Sequence, residues 1–579
     1  MKSNISKIFV LAVSASMAFT SCIDETYPSD MALAEQVAKD PQALSTIVNG
    51  LSSYLGTYGT LGDGDYTDLG MPGFMIARDV MCEDYPVSDD TMDYYYSTAS
   101  AGNRSTDWGT YPYYYFYTFV DKINNVLKST NPDTENEELA HMIGNLYGYR
   151  AMCFMELARM FEFKKTGFAE LDDKATSDNI YGLTVPILEA REYTVAELVQ
   201  NPRVPFQTMY RFIMTDLNRA EEYLEGYTRS KVSLIDQSVI YGFKARMWLE
   251  LASRFDESSE DLATQLAAEG ADDGYDDLGI TTALECYANA AKYAEMVINS
   301  GYTPLTSAQW HDSYTGFNTP TSNKSWVFGT YITSETEAPG RYYSFAGTVA
   351  SDCNWGWTAD APTGDELMAF RCISSGLYDQ IPDEDWRKTS WVDPNDVGLN
   401  KADKYGVVGG NFIYFPAYAN LKFRVPDTDN YQKGIISSVP FMRVEEMYLL
   451  LAEALYHTNG IGAAKSKLED FVNAYRYTDG SYVCNASDYE SFIRQLMIQR
   501  RIELWGEGLV YYDYKRLRLG VDRTYEGTNF LELYRLKSLD GYVAPWMNIY
   551  FSETIIYTKD SNFKGNPYYS GVVTASTSK

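Results

Sequence analysis

Residues 495–516 read QLMIQRRIELWGEGLVYYDYKR and crowd charges together as a reacting centre would. Arg500 and Arg501 come first, then Glu503 and Glu507 four apart, then Asp513, Lys515 and Arg516. Two carboxylates can work as general acid and base when a cleft gives them different environments and separates their pKa values. The same spacing also has a structural meaning. On a helix Glu503 and Glu507 share one face, and Arg500, three residues before Glu503, is placed to pair with it. Phe492, Leu496, Ile502, Trp505 and Leu509 recur at roughly helical spacing, and nothing local builds a cleft. The segment therefore reads as an amphipathic helix whose charges are solvated or salt-bridged.

Other reactive residue types are thinly spread. Only His141, His311 and His457 occur, far apart, which gives little support to a zinc hydrolase or a Ser-His-Asp enzyme. Cys82, Cys153, Cys286, Cys353, Cys372 and Cys484 are widely spaced without a C-x-x-C, so they read as buried small hydrophobes. Asp63, Asp65 and Asp68 lack the glycine and terminal Glu of a calcium loop, and the acidic run 256–277 reads as a solvated insertion between helices. No cofactor or metal is expected. The balance of 48 Lys+Arg against 79 Asp+Glu, a formal −31, argues against nucleic acid and against unassisted binding to anionic lipid. Aromatics reach 15%, with 50 Tyr, more than a core requires; tyrosine's flat face and polar tip suit amphipathic ligands.

The elements that must hold such residues are mainly helices. Helical periodicity runs over 108–128 and 137–163, then 205–224 and 236–255, a pair joined within a dozen residues. Another helix covers 283–300 and stops at Gly301. Residues 302–438 turn rich in Gly, Pro, Asn, Thr and aromatics, which predicts loops and short strands. Helical pattern returns at Pro440 and continues through 463–475 and 488–509. The fold class is mostly α: a tetratricopeptide-like helix-pair scaffold with loop-rich insertions and few short strands. No run of 18 or more apolar residues follows the first segment. That segment, 1–21, has a short positive start (Lys2, Lys7), an apolar stretch and small residues. Phe19-Thr20-Ser21-Cys22 resembles a bacterial lipobox, with Phe where Leu is usual, making Cys22 the expected lipidation site. Ile23-Asp24-Glu25 resembles the surface-export signal of Bacteroidetes lipoproteins.

Several stretches together resemble the SusD/RagB family. Pro440-Phe-Met-Arg443-Val-Glu-Glu446-Met-Tyr-Leu-Leu-Leu-Ala452-Glu453-Ala454 is similar to that family's P-x-x-R-x-x-E-x-x-L-x-x-A-E-A helix. The 495–516 segment is similar to its E-R-R-x-E-L-x-x-E-G-x-R-x-x-D-L-x-R run, with Gln499 where Glu is usual and Val510 where Arg is usual. Agreement extends through 146–161, Gly182 to Ile187, 210–224 and 240–252, in the family's order. The resemblance implies a signal peptide (1–21), a lipidated tether (22–34), an N-terminal part (35–230) and a C-terminal part (231–579) forming one compact unit. It implies a non-enzymatic, outer-membrane, lipid-anchored protein facing the cell exterior. Such a protein captures a glycan and delivers it to a SusC-like TonB-dependent transporter, whose contact is with the helix-pair side.

The resemblance also places ligands partly in the loop before Trp108 and partly in the loop-rich middle. In the first lie Asp84, Tyr94, Tyr95, Tyr96 and Arg104; in the second, Arg341, Tyr342, Tyr343, Asn354, Trp355 and Trp357. Pyranose C–H faces stack on aromatic rings, and sugar hydroxyls need planar polar partners, so the composition fits. The same aromatics can instead pack into a small sheet or core. Three other functions stay open: binding of a non-glycan nutrient such as a peptide, a purely structural lid, and a surface glycoside hydrolase. The last requires carboxylates such as Asp84 or Asp360 to converge in a pocket.

Overall fold

A computed structural model describes residues 39–57, 69–87, 95, 106–312, 317–319, 324–332, 345–349, 371–399, 414–423 and 438–568. Its base is a set of helices numbered here α1 (Pro41–Ser53), α2 (Met71–Met81), α3 (Thr106–Leu127), α4 (Glu137–Phe161), α5 (Phe206–Tyr223), α6 (Gln237–Glu257), α7 (Ala283–Ile298), α8 (Val444–Asn459), α9 (Ile461–Tyr475), α10 (Tyr489–Glu503) and α11 (Val510–Leu517). Local chemistry starts many of them. Asp40, Asn136, Asp236 and Thr282 accept backbone N–H groups at the heads of α1, α4, α6 and α7, and Asp488 forms a capping box with Ser491 at α10.

Neighbours in the chain are neighbours in space: α3 packs on α4, α4 on α5, α6 on α7, α7 on α8, and α8 on both α9 and α10. One buried apolar cluster extends from Leu44 to Phe563. Helix α2 was not legible as an amphipathic element because every one of its residues is buried, so no polar face marks its period. The intervening region supplies short elements, including the antiparallel pairs β1 (Trp326–Gly329) with β4 (Pro440–Arg443) and β2 (Gly398–Leu399) with β3 (Tyr414–Phe415). Cys82, Cys153, Cys286, Cys372 and Cys484 are buried, as expected; Cys353 and the Asp63–Asp68 loop lie outside the described residues.

Three expectations are corrected. Residues 440–443 are a strand, not the first turn of a helix, because their backbone pairs with β1 and leaves helix α8 to begin at Val444. Gly242 of α6 leaves room for the Met442 side chain of this strand, whose sulfur a Cβ there would overlap. Helix α10 stops at Glu503 rather than Leu509, since Gly506 and Gly508 take φ of +77° and +66° in the following turn. The acidic run is partly built in: Ser259–Ala268 is helical, and Asp273 and Asp277 pair with the buried Arg211 at 2.8 and 3.4 Å.

At the end of α4, Glu162 takes two hydrogen bonds from Arg254 of α6, at 3.0 and 2.7 Å, with both side chains buried. Burial pushes this carboxyl up, but Arg254 and Lys164 outweigh it and hold it at about 2, below the ordinary 4.5. A depressed carboxyl stabilises the fold above its unfolded value and loses that contribution as pH falls from about 4.5 toward 2. At about 1.4 kcal/mol per unit this amounts to about 3 kcal/mol. Urea midpoints taken from pH 6 to pH 3 should fall more steeply for the wild type than for Glu162→Gln; equal slopes would refute the assignment.

Candidate ligand face and the buried charges beneath it

The charged segment of α10 faces inward. Glu503 and Glu507 are 0% and 1% exposed. Glu503 accepts from Arg443 at 3.1 Å, from Arg476 at 2.7 and 2.9 Å, and from Arg387 at 2.9 Å. Glu507, beyond the helix end, accepts from Arg443 at 2.9 and 2.8 Å and from the Lys422 ammonium at 2.6 Å. Glu445 and Asp385 complete the cluster through Arg443 and Arg387. Arg387, Lys422, Arg443 and Arg476 thus face Asp385, Glu445, Glu503 and Glu507, and the buried charge cancels.

Burial alone would raise Glu503's carboxyl, yet Arg476, Arg443 and Arg387 hold it well below the usual carboxylate range. Lys422 is pushed down to about 8 by burial, against the pull of Glu507. Its ammonium also donates to the carbonyls of Glu503 and Trp505, capping the end of α10. Both oxygens of Glu503 are saturated and neither meets solvent, so the carboxylates that resembled an acid–base pair are scaffold. The pairing expected within the helix is replaced: Arg500 bonds Asp513 of α11 at 2.7 Å, and Asp513 also takes Arg516 at 2.8 Å. Gln499, where the family usually has Glu, still serves as an acceptor, for Arg387. Val510, where Arg is usual, is buried.

On this charge cluster stand the roots of the aromatic segments. Asn420 ties the two ends of 350–370 together: its N–H donates to the Arg371 carbonyl at 2.8 Å, and its side-chain amide to the Val349 carbonyl at 2.9 Å. Three residues beyond Arg371, Ser374 donates its N–H to the Asp84 carbonyl at 3.1 Å and its hydroxyl to the Asp84 carboxylate at 3.2 Å. Arg371 lies over the rings of Tyr85 and Tyr95, 5.8 and 5.5 Å from their centroids. Tyr85 stacks on Trp505 at 4.6 Å, and the Trp505 indole donates to the Asp84 carbonyl at 2.8 Å. The described residues that bound the two nominated segments are therefore joined, though they lie nearly 300 positions apart.

Of the residues expected to bind ligand, Asp84 and Tyr95 are described, and both are buried. Asp84 accepts two hydrogen bonds from Arg501, each at 2.6 Å, so its carboxylate anchors the loop root and is not available as a catalytic acid. Tyr94, Tyr96, Arg104, Arg341, Tyr342, Tyr343, Asn354, Trp355, Trp357, Asp360 and the lipidation site Cys22 lie outside the described residues. Ser374, Arg371 and Asn420 escaped sequence reasoning; a lone Asn or Ser in an aperiodic stretch carries no signal of its distant partner. Among the described residues, no group of three or more His, Cys, Asp or Glu is placed to hold a metal ion, and no helix is long and apolar enough to cross a membrane.

A helix-pair base carrying aromatic-rich insertions defines a class of scaffold, and comparison identifies it. Residues 404–576 match the SusD family model. The fold is similar to a SusD-like carbohydrate-binding protein of Bacteroides vulgatus (TM-score 0.63, 18% identity, 93% of this chain and 100% of that one). It is also similar to a SusD superfamily protein of Bacteroides thetaiotaomicron (0.60, 19%, 91% and 99%). A third likeness is to surface glycan-binding protein A of Bacteroides thetaiotaomicron, solved with laminarihexaose (0.58, 13%, 91% and 99%). No curated protein matches the chain. Residues 404–576 are thus similar to the SusD family, and the chain shares the fold of SusD-like proteins.

Proposed function

We propose that this protein is a cell-surface glycan-binding lipoprotein, anchored through Cys22, that captures an oligo- or polysaccharide and passes it to a SusC-like TonB-dependent transporter. The observation that carries this reading is the shared root: Asn420 and Ser374 tie together the segments holding Tyr94, Tyr96, Trp355 and Trp357. Two aromatic segments sprung from one rigid base can grip a single ligand with little ordering cost in that base. The carbohydrate-binding relative and the laminarihexaose complex support glycan as the ligand class. The role is binding without turnover. The nominated Asp84 is committed to Arg501, and the Glu503–Glu507 pair is sealed in the core.

Affinity electrophoresis of residues 23–579 through gels containing plant, host or microbial polysaccharides tests the reading. One glycan should retard the protein, and Trp355→Ala should weaken the binding about tenfold, as expected for loss of a stacking platform worth about 1 kcal/mol. Retardation that neither Trp355→Ala nor Trp357→Ala alters would put the ligand elsewhere, and a peptide ligand in place of any glycan would overturn the ligand class.

A further inference from the structure

A second recess lies on the helix-pair base, built without any of the residues that join the loop roots. It is a cavity of about 290 Å³ between α4, α5 and the turn at 273–275. Three rings line it among polar and charged groups: Tyr147, which is backed by Tyr223 at 5.9 Å with rings nearly parallel, and Phe212 and Tyr275, which meet edge-on at 5.3 Å. The frame is preformed. Arg150 is held by Asp216 at 2.7 and 2.8 Å and by Asn124 at 2.8 Å. Arg211 fixes the turn by donating to the Asp273 carboxylate and to the Tyr275 carbonyl at 2.8 and 2.7 Å. The Tyr275 hydroxyl donates to Glu189 at 2.9 Å.

One group at this recess is uncommitted. Arg219 is exposed, lies over the Tyr147 ring at 5.4 Å, and has no ion-pair partner among the described residues. The partly exposed carboxylates of Glu189, which lies 3.9 Å from Arg191, and of Asp273 line the same recess. An anionic ligand would meet those carboxylates, and a cation would meet Arg219. A neutral polyhydroxylated ring satisfies both, donating hydroxyls to Glu189 and Asp273, accepting from Arg219, and laying a C–H face on tyrosine. The volume stands at the lower edge of small-ligand pockets, about 300 Å³, which suits a ring or two rather than a long chain.

We infer that the recess walled by Tyr147, Arg219, Glu189 and Tyr275 is a second saccharide site, taking a neutral mono- or disaccharide unit on the helix-pair base. The inference does not depend on the loop face.

Hydrogen–deuterium exchange of residues 23–579 with maltose, cellobiose or lactose as probes, and glucuronate as the charged comparison, tests it. One neutral sugar should protect peptides covering 147–150 and 273–275. Arg219→Ala and Glu189→Gln, both on exposed or half-exposed side chains, should keep the melting temperature and weaken that protection about tenfold, the cost of one hydrogen bond to a charged group. Trp355→Ala should leave it intact, so the fate of the loop face is read separately. No protection by any neutral sugar, protection by glucuronate alone, or protection that survives both recess substitutions would each overturn the site.

Discussion

Replacing Glu503 with alanine should lower the unfolding free energy by about 3–5 kcal/mol, the usual cost of stranding buried partners of an ion pair. The side chain is 0% exposed and receives guanidinium groups from three separate elements: Arg387 from the loop region, Arg443 from β4 and Arg476 after α9. Removing it leaves three cations facing Glu445, Glu507 and Asp385, which already have partners. Water cannot reach the vacated position without opening the core. Glu503→Gln keeps the shape and the acceptor oxygen while removing the charge, so it should fall between wild type and alanine. Equilibrium urea unfolding of the three proteins is the measurement. An unchanged midpoint for the alanine variant would sink the scaffold assignment. Glycan affinity of the molecules that remain folded should be unaffected, because no ligand reaches this carboxylate.

Gly508→Ala is expected to be comparably damaging for a different reason. Gly508 has φ +66°, a conformation that costs a residue with a side chain about 1–3 kcal/mol. An added Cβ would lie 2.5 Å from the Met75 Cα and 2.8 Å from its carbonyl oxygen. Those are backbone atoms of the fully buried helix α2 and cannot rotate aside, so overpacking adds about 1–3 kcal/mol more. The Gly508 N–H also donates to Asp79 at 3.0 Å. Burial raises that carboxyl to about 7, against the Gly508 contact that favours its charged form. Displacing the turn therefore loosens a hydrogen bond to a buried acid. Gly460→Ala is the control: it too has positive φ, +82°, but nothing lies within 4 Å of its Cβ, so only the strain cost should appear. Equal losses at the two positions would show that the contact with α2 contributes nothing.

How much of this was legible follows from the range of each interaction. Helices α3 to α7 were readable to within a few residues because their apolar period is local and Asp236 and Gly301 mark ends within the same stretch. Helix α2 was not readable, since complete burial erases the polar face that a period needs. The 495–516 motif was readable as structural but not in its geometry. A helix-surface pairing of Arg500 with Glu503 was the local expectation; the fold instead sends Arg500 to Asp513 and Glu503 to three arginines up to 116 positions away. The same holds for Asp84, whose position beside aromatic residues suggested a ligand contact and whose actual partner, Arg501, is 417 positions distant.

By itself the sequence determined the helical class and the resemblance to the SusD/RagB family through its motifs; from it also come the expectations of export, of lipidation and of two aromatic segments that touch ligand. These rest on periodicity, composition and contiguous motifs, which need only near neighbours along the chain. Only the tertiary structure decided which charges are solvated and which are sealed, that β4 rather than a helix carries Arg443, and that Asn420 and Ser374 bind the segment roots together. It alone formed the recess beneath Arg219. Burial, charge compensation and concavity arise when distant stretches exclude water from one another, and no local pattern of residues encodes which stretches those will be.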